Sequence, residues 1–164
     1  MNNQQFHKQQ KLCVKWELIA DRLFISLPKP LPTKHSYTTK REVVQQIARV
    51  FDPLGLLAPA ILPAKIFAQK LWKDGYEWDE RLSKADETTW SNILTEWNSE
   101  CSFSRRIPSI CEGTYELHCF VDASGAAYAA VAYLVNQQHP TNPAAILFSK
   151  NRLCPIKAQT IPST

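Results

Sequence analysis

One acid, Asp122, closes the apolar run "LHCFVD", and the "ASGAAYAAVAYLV" that follows carries no charge. A carboxylate at the C-terminal end of a strand, beside a Ser and Gly turn, is a usual place for a hard-cation ligand, because the sheet fixes where its oxygens point. Two-metal phosphoryl chemistry holds its ions about 3.5–4 Å apart and needs several acids together. After Asp122 the chain has no further Asp or Glu. On composition alone the carboxylate therefore reads first as a turn former that caps backbone amides.

Other chemistry has less support. The sequence contains no GxGxxG, Walker A, GxSxG or HExxH pattern, which removes the usual signatures of nucleotide binding, serine hydrolysis and zinc peptidases. A small hydrolase centred on Asp122 and Ser124 would need a positioned base, and the four histidines (His7, His35, His118, His139) are scattered. Five cysteines (Cys13, Cys101, Cys111, Cys119, Cys154) form no CxxC pair. Their odd number argues against a disulfide framework, and the spacing of structural zinc is missing, so buried reduced thiols are expected.

The charge is unevenly distributed. Residues 1–73 hold 12 Lys/Arg against 4 Asp/Glu, residues 74–116 hold 4 against 10, and residues 117–164 hold 3 against 1. A basic first part suits a polyanion such as nucleic acid, although a solvated basic face has the same composition. The polar start "MNNQQFHKQQK" has no apolar signal core, and no apolar stretch reaches the ~20 residues that span a bilayer. A soluble chain of the cytoplasm or nucleus, with no membrane partner, is the expectation.

The elements that must position Asp122 follow from periodicity. Two short β-rich runs, 12–16 and 23–27, predict a hairpin, and "PKPLPTKHSYTTK" predicts an extended linker. Thr39 and Glu42 have capping-box spacing, and Val43, Val44, Ile47, Val50 and Phe51 predict a helix over 40–51. "FDPLGLLAP" ends it. A second helix is expected from Pro59 or Pro63 to Gly75, with Ile66, Phe67, Leu71 and Trp72 as core. A third covers 86–99, where Trp90, Ile93, Leu94 and Trp97 form one stripe. "SRRIPSICEGTY" reads as a loop. Then the period changes to strands over 116–122, 127–135 and 144–149, with "NQQHPTNP" as a turn. The fold class is α+β.

These segments carry a resemblance. "TKREVVQQIARVFDPLGLLAPAILPAKIFAQKLWKDGYEWDE", a Trp-rich helix, "ELHCFVDASGAAYAAVAYLV" and "FSKNRLCPIKAQTIP" occur in that order, and from about Leu12 to Pro162 the chain resembles the polyprotein of Bel/Pao-type LTR retrotransposons. The resemblance implies three parts. Residues 1–38 contain a polar start, a hairpin like the primer grip of reverse transcriptase, with Cys13 where Gly is common, and a Pro-rich linker. Residues 39–116 are similar to the helical thumb and connection, which hold a template-primer duplex of RNA or DNA. Residues 117–164 resemble the opening strands of an RNase H-like domain, an antiparallel three-stranded sheet.

In that family the acid of the first strand binds Mg2+, which would make Asp122 a catalytic metal ligand. Lys34, Lys40, Arg41 and Arg49 are the candidate nucleic-acid contacts. The family continues from "TIP" into a helix bearing a second catalytic Glu, and its polymerase palm precedes the hairpin. The expectation is a polyprotein fragment, catalytically incomplete as given, whose partners are the duplex and the remainder of the polyprotein; the parent would be an RNA-directed DNA polymerase and RNase H. A protein-interaction module retained by a host, without catalysis, is the alternative.

Overall fold

A computed structural model describes residues 14–32, 36–98, 100–104, 114–137 and 144–156. Strands β1 (Val14–Glu17) and β2 (Arg22–Ser26) pair antiparallel around a turn in which Asp21 takes a left-handed φ of 47°. The expected hairpin is thus present, and it gains a strand that periodicity did not indicate. β3 (Glu100–Ser104) lies antiparallel to β2, with Arg22 opposite Ser104 and Ser26 opposite Glu100. Its inward residues Cys101 and Phe103 pack on the core.

Helix α1 (Lys40–Ala48) starts at the expected capping box: Glu42 N–H donates to the Thr39 hydroxyl, and Thr39 N–H donates to the Glu42 carboxylate at 3.0 Å. It ends about a turn earlier than expected, at Ala48 with Arg49 as its C-cap, and Asp52 instead braces the turn that leads into the next helix. The Asp52 carboxylate accepts from Leu56 and Leu57 N–H, both at 2.8 Å, and so satisfies donors that a helix start leaves unpaired. Gln46, fully buried, ties the Pro-rich linker to α1 by donating to the Pro28 and Lys29 carbonyls and accepting from Leu31 N–H.

Helix α2 (Ala58–Lys73) places Pro59 in its first turn, where a missing N–H costs nothing, and carries Pro63 inside. It closes at Gly75, whose φ of 76° lets Tyr76 N–H reach back to the Leu71 carbonyl. Helix α3 (Lys84–Thr95) begins two residues before the expected start, because Ser83 caps it through Asp86 N–H, and runs into a 3-10 turn, Glu96–Asn98.

The core lies among these elements. Phe67, Leu71, Trp90 and Trp97 are buried, with Phe67 stacked on Trp90 at 5.7 Å and Trp90 edge-on to Trp97 at 6.3 Å. Ile66 and Trp72, expected in the core, are instead about 40% exposed, at 37% and 43%. They sit on the outer side of α2, whose buried stripe is Ile61, Ala64, Phe67, Ala68 and Leu71.

Strands β4 (Tyr115–Ala123), β5 (Ala127–Asn136) and β6 (Ala145–Leu153) form a second antiparallel sheet in the order β4-β5-β6. A bulge interrupts the β5–β6 register at Ala132/Tyr133. The architecture is α+β, with three helices and two three-stranded sheets among the described residues. No helix among them is long and apolar enough to cross a membrane.

The second sheet is docked through β6. Ser149 N–H donates to the Leu54 carbonyl at 2.8 Å, and Gly55 approaches so closely that a Cβ there would lie 1.7 Å from the Ser149 carbonyl oxygen. With a φ of 71° as well, this position of the "FDPLG" turn requires glycine on two grounds. Gln69 donates to the Cys154 carbonyl at 2.6 Å and extends the seam.

Candidate functional site

Asp122 is the penultimate residue of β4, is exposed, and stands opposite Ala129 on β5. Ala129 in turn stands opposite Asn151 on β6. Directly paired residues of an antiparallel ladder share a face, so Asp122, Ala129 and Asn151 form one row across the sheet. Ala129 is exposed and has only a methyl group, so the row is a shallow trough with a low floor.

The turn after Asp122 is built by Ser124. Its N–H donates to the Ala127 carbonyl at 2.8 Å, while its hydroxyl donates to the same carbonyl and accepts from Ala126 and Ala127 N–H. Ser124 is therefore a turn residue in this structure, and the hydroxyl that a hydrolase would use as nucleophile is engaged by backbone. His118 pairs with Glu116 at 3.0 Å, four and six residues up the strand from Asp122.

On the far side of the trough Asn151 meets α2. Its Nδ2 donates to the Ala58 carbonyl at 2.7 Å, which turns its Oδ1 toward the Lys65 ammonium at 2.9 Å. A cleft of about 210 Å³ between the 52–58 turn and β6 is lined by Asp52, Lys65, Ser149 and Asn151 among others. Strand alternation turns Lys150 and Arg152 away from Asn151, and with Val121, Asp122, Ala123, Tyr128, Ala129 and Ala130 they border an open hollow of about 620 Å³ at the end of the sheet.

The cations singled out in the sequence lie elsewhere. Lys40 is buried, its ammonium 5.3 Å from the centre of the Trp72 ring and 5.2 Å from that of Trp78, and it donates to the Tyr76 carbonyl. Arg41 makes a two-pronged pair with Asp79 at 2.6 and 2.8 Å and lies over Trp78. The Asp79 carboxylate, by its hydrogen bonds first and its charge second, raises the Arg41 guanidinium above its ordinary pKa. Arg49 is exposed and donates to the Lys29 carbonyl and the Gln46 amide oxygen. Lys34 lies outside the described residues. The contacts of Lys40, Arg41 and Arg49 all fall within the helices and their connections, away from the Asp122 row.

The α+β architecture with its antiparallel meander agrees with the comparison of the sequence to known families. A family model described as Pao retrotransposon-like RNaseH-like domain matches residues 39–164. The chain belongs to this family. The matched span of this Pao-type segment begins at the capping threonine of α1 and takes in the helices as well as the second sheet. Among curated proteins, none matches.

A divalent metal is the group that an RNase H-like domain implies. Asp122 can supply one hard oxygen ligand, as such an ion requires. Among the described residues, no group of three or more His, Cys, Asp or Glu side chains converges to complete a site. The donor set described here does not by itself fit a two-ion centre.

Proposed function

We propose that this Pao-type segment handles template-primer nucleic acid within a retroelement polyprotein that carries reverse transcriptase and RNase H, with Asp122 contributing one Mg2+ ligand in the assembled enzyme. Membership of the RNase H-like family supports a nucleic-acid substrate. The single observation that carries the reading further is the exposed Asp122 at the strand end, facing an uncovered trough. Cleavage belongs to the assembled polyprotein, because one carboxylate cannot hold two ions. Arg41 and Arg49, both exposed, are candidates for duplex-backbone contact.

Binding of a fluorescein-labelled RNA–DNA hybrid to the full chain, followed by anisotropy across a range of KCl, tests this reading. Affinity should fall linearly on a log–log plot as phosphate counterions are released. A wild-type chain that binds no hybrid at low salt overturns it. One observation favours a second reading, a protein-interaction module without chemistry: Leu117, Phe120 and Val121 are exposed on β4, an edge strand of its sheet. An unpaired edge with apolar side chains invites pairing with another chain. A sharp thermal melt combined with no affinity for the hybrid would support that reading.

A further inference from the structure

We infer that Lys65 is a phosphate-contacting residue for the nucleic-acid strand that lies in the Asp122 trough. The inference rests on the nucleic-acid reading above and assigns its contact to a cation of α2.

Three observations place Lys65 there. The first is the row itself: Asp122, Ala129 and Asn151 are successive cross-strand partners on one face. Strands lie about 4.8 Å apart, so two steps put Asn151 about 10 Å from Asp122. The second is the orientation of Asn151, whose amide nitrogen is fixed on the Ala58 carbonyl, leaving the amide oxygen to hold the Lys65 ammonium over the same face. The third is the partner's chemistry. Lys15, Arg41, Lys70 and Arg81 each pair with a carboxylate, whereas Lys65 is paired with a neutral amide. Its charge is positioned without being neutralised by that contact.

A strand lying across the trough would have one phosphate near Asp122 and a later one about 10 Å away, on the Lys65 side of the sheet. The exposed Ala129 methyl leaves room for the sugar-phosphate chain between them. Lys150 and Arg152 alternate to the other side of β6 from Asn151, although they border the hollow that Asp122 and Ala129 also line. Asn151 is then a positioning residue, and Lys65 makes the contact.

The test compares hybrid binding by the full wild-type chain with Lys65→Gln, Lys65→Arg and, as a distant control, Lys84→Gln, with the melting temperature of each measured alongside. Lys65→Gln should weaken binding by about five- to tenfold at low salt and make the log–log salt slope shallower by about 0.9, the loss of one phosphate contact. Lys65→Arg should restore the slope, and Lys84→Gln should match the wild type. If the wild type binds and Lys65→Gln binds equally well, the inference is overturned while the parent reading stands. A weaker affinity with an unchanged slope assigns Lys65 a purely structural role and also overturns it. If the wild type binds no hybrid, the parent reading fails and takes this inference with it.

Discussion

Residues between Ile25 and Trp97 bury thirteen apolar side chains in one cluster, whereas the sheet β4–β6 buries only Ala127 and Asn136 among its described residues. Leu117, Phe120 and Val121 on β4 are 62%, 58% and 78% exposed. The first region is held by side-chain packing, which contributes about 1.5–3 kcal/mol for each large apolar residue buried. The second is held by its backbone ladder and by the seam along β6. A surface built this way is well suited to presenting a carboxylate and a trough, because few of its side chains are committed to a core. Its order depends correspondingly on the body it is docked to.

The largest expected effect is at the centre of the packed region. Trp90→Ala removes the ring stacked on Phe67 and edge-on to Trp97, and should cost about 3–5 kcal/mol in urea unfolding followed by circular dichroism. A loss below about 1 kcal/mol would break the contrast between the two regions, since it would mean that this cluster does not dominate stability.

Next comes the seam. Gly55→Ala asks a residue at φ 71° to place a methyl group on the Ser149 carbonyl. Left-handed backbone costs about 1–2 kcal/mol and overpacking about 1–3 kcal/mol, so a total of about 2–5 kcal/mol is expected. The sharper readout is amide hydrogen exchange. Ser149 N–H, which donates to the Leu54 carbonyl, should lose protection, while Leu71 on α2 keeps its own. Equal loss at both sites would show that the sheet and the helical body open as one unit.

Within the helical body, one buried carboxylate makes stability depend on pH. Burial pushes the Asp86 pKa up, but hydrogen bonds from Lys70, Tyr76 and Ser83, together with the Lys70 charge, outweigh it and bring the value below that of an ordinary aspartate. A depressed folded-state pKa contributes stability that is present above the ordinary value of about 3.9 and is lost as pH falls through the folded value. Asp86→Asn should therefore cost about 1–2 kcal/mol at pH 7 and flatten the acid side of the stability profile. An unchanged acid limb in the variant would assign that limb to other carboxylates.

Local signals were the legible part of this molecule. Thr39 with Glu42, Gly75, and the alternation in β4–β6 each depend on neighbours in sequence, and each element formed close to where its pattern placed it. What escaped was set by distant partners. β3 is five residues long and is defined by pairing with a strand about 78 residues earlier, as Arg22 opposite Ser104 and Ser26 opposite Glu100 require. Lys40 looks like any helix-start cation until Trp72 and Trp78, more than thirty residues on, enclose its ammonium. Lys65 and Asn151 meet across 86 residues, and no periodicity in either element marks them. Asp122 was legible as a candidate because it is the one acid of its segment, while its row with Ala129 and Asn151 depended on strand register that periodicity does not supply.

The smallest expected effect tests the exposed side of the comparison. Val121 stands on the face opposite Asp122, 78% exposed, on an edge strand of the sheet. Val121→Ser removes little buried area, so unfolding stability should stay within about 0.5 kcal/mol of the wild type. Hybrid binding should be unchanged, because strand alternation turns this side chain away from the row of Asp122, Ala129 and Asn151. The solubility limit should rise, since an apolar side chain on a sheet edge promotes contact between chains. A stability loss approaching that of Trp90→Ala would mean that the face is covered in solution, and sedimentation of the wild type would then identify a second copy of the chain as the cover. Unchanged stability with raised solubility would place the sheet's dependence on β6 and its seam rather than on any apolar face of its own.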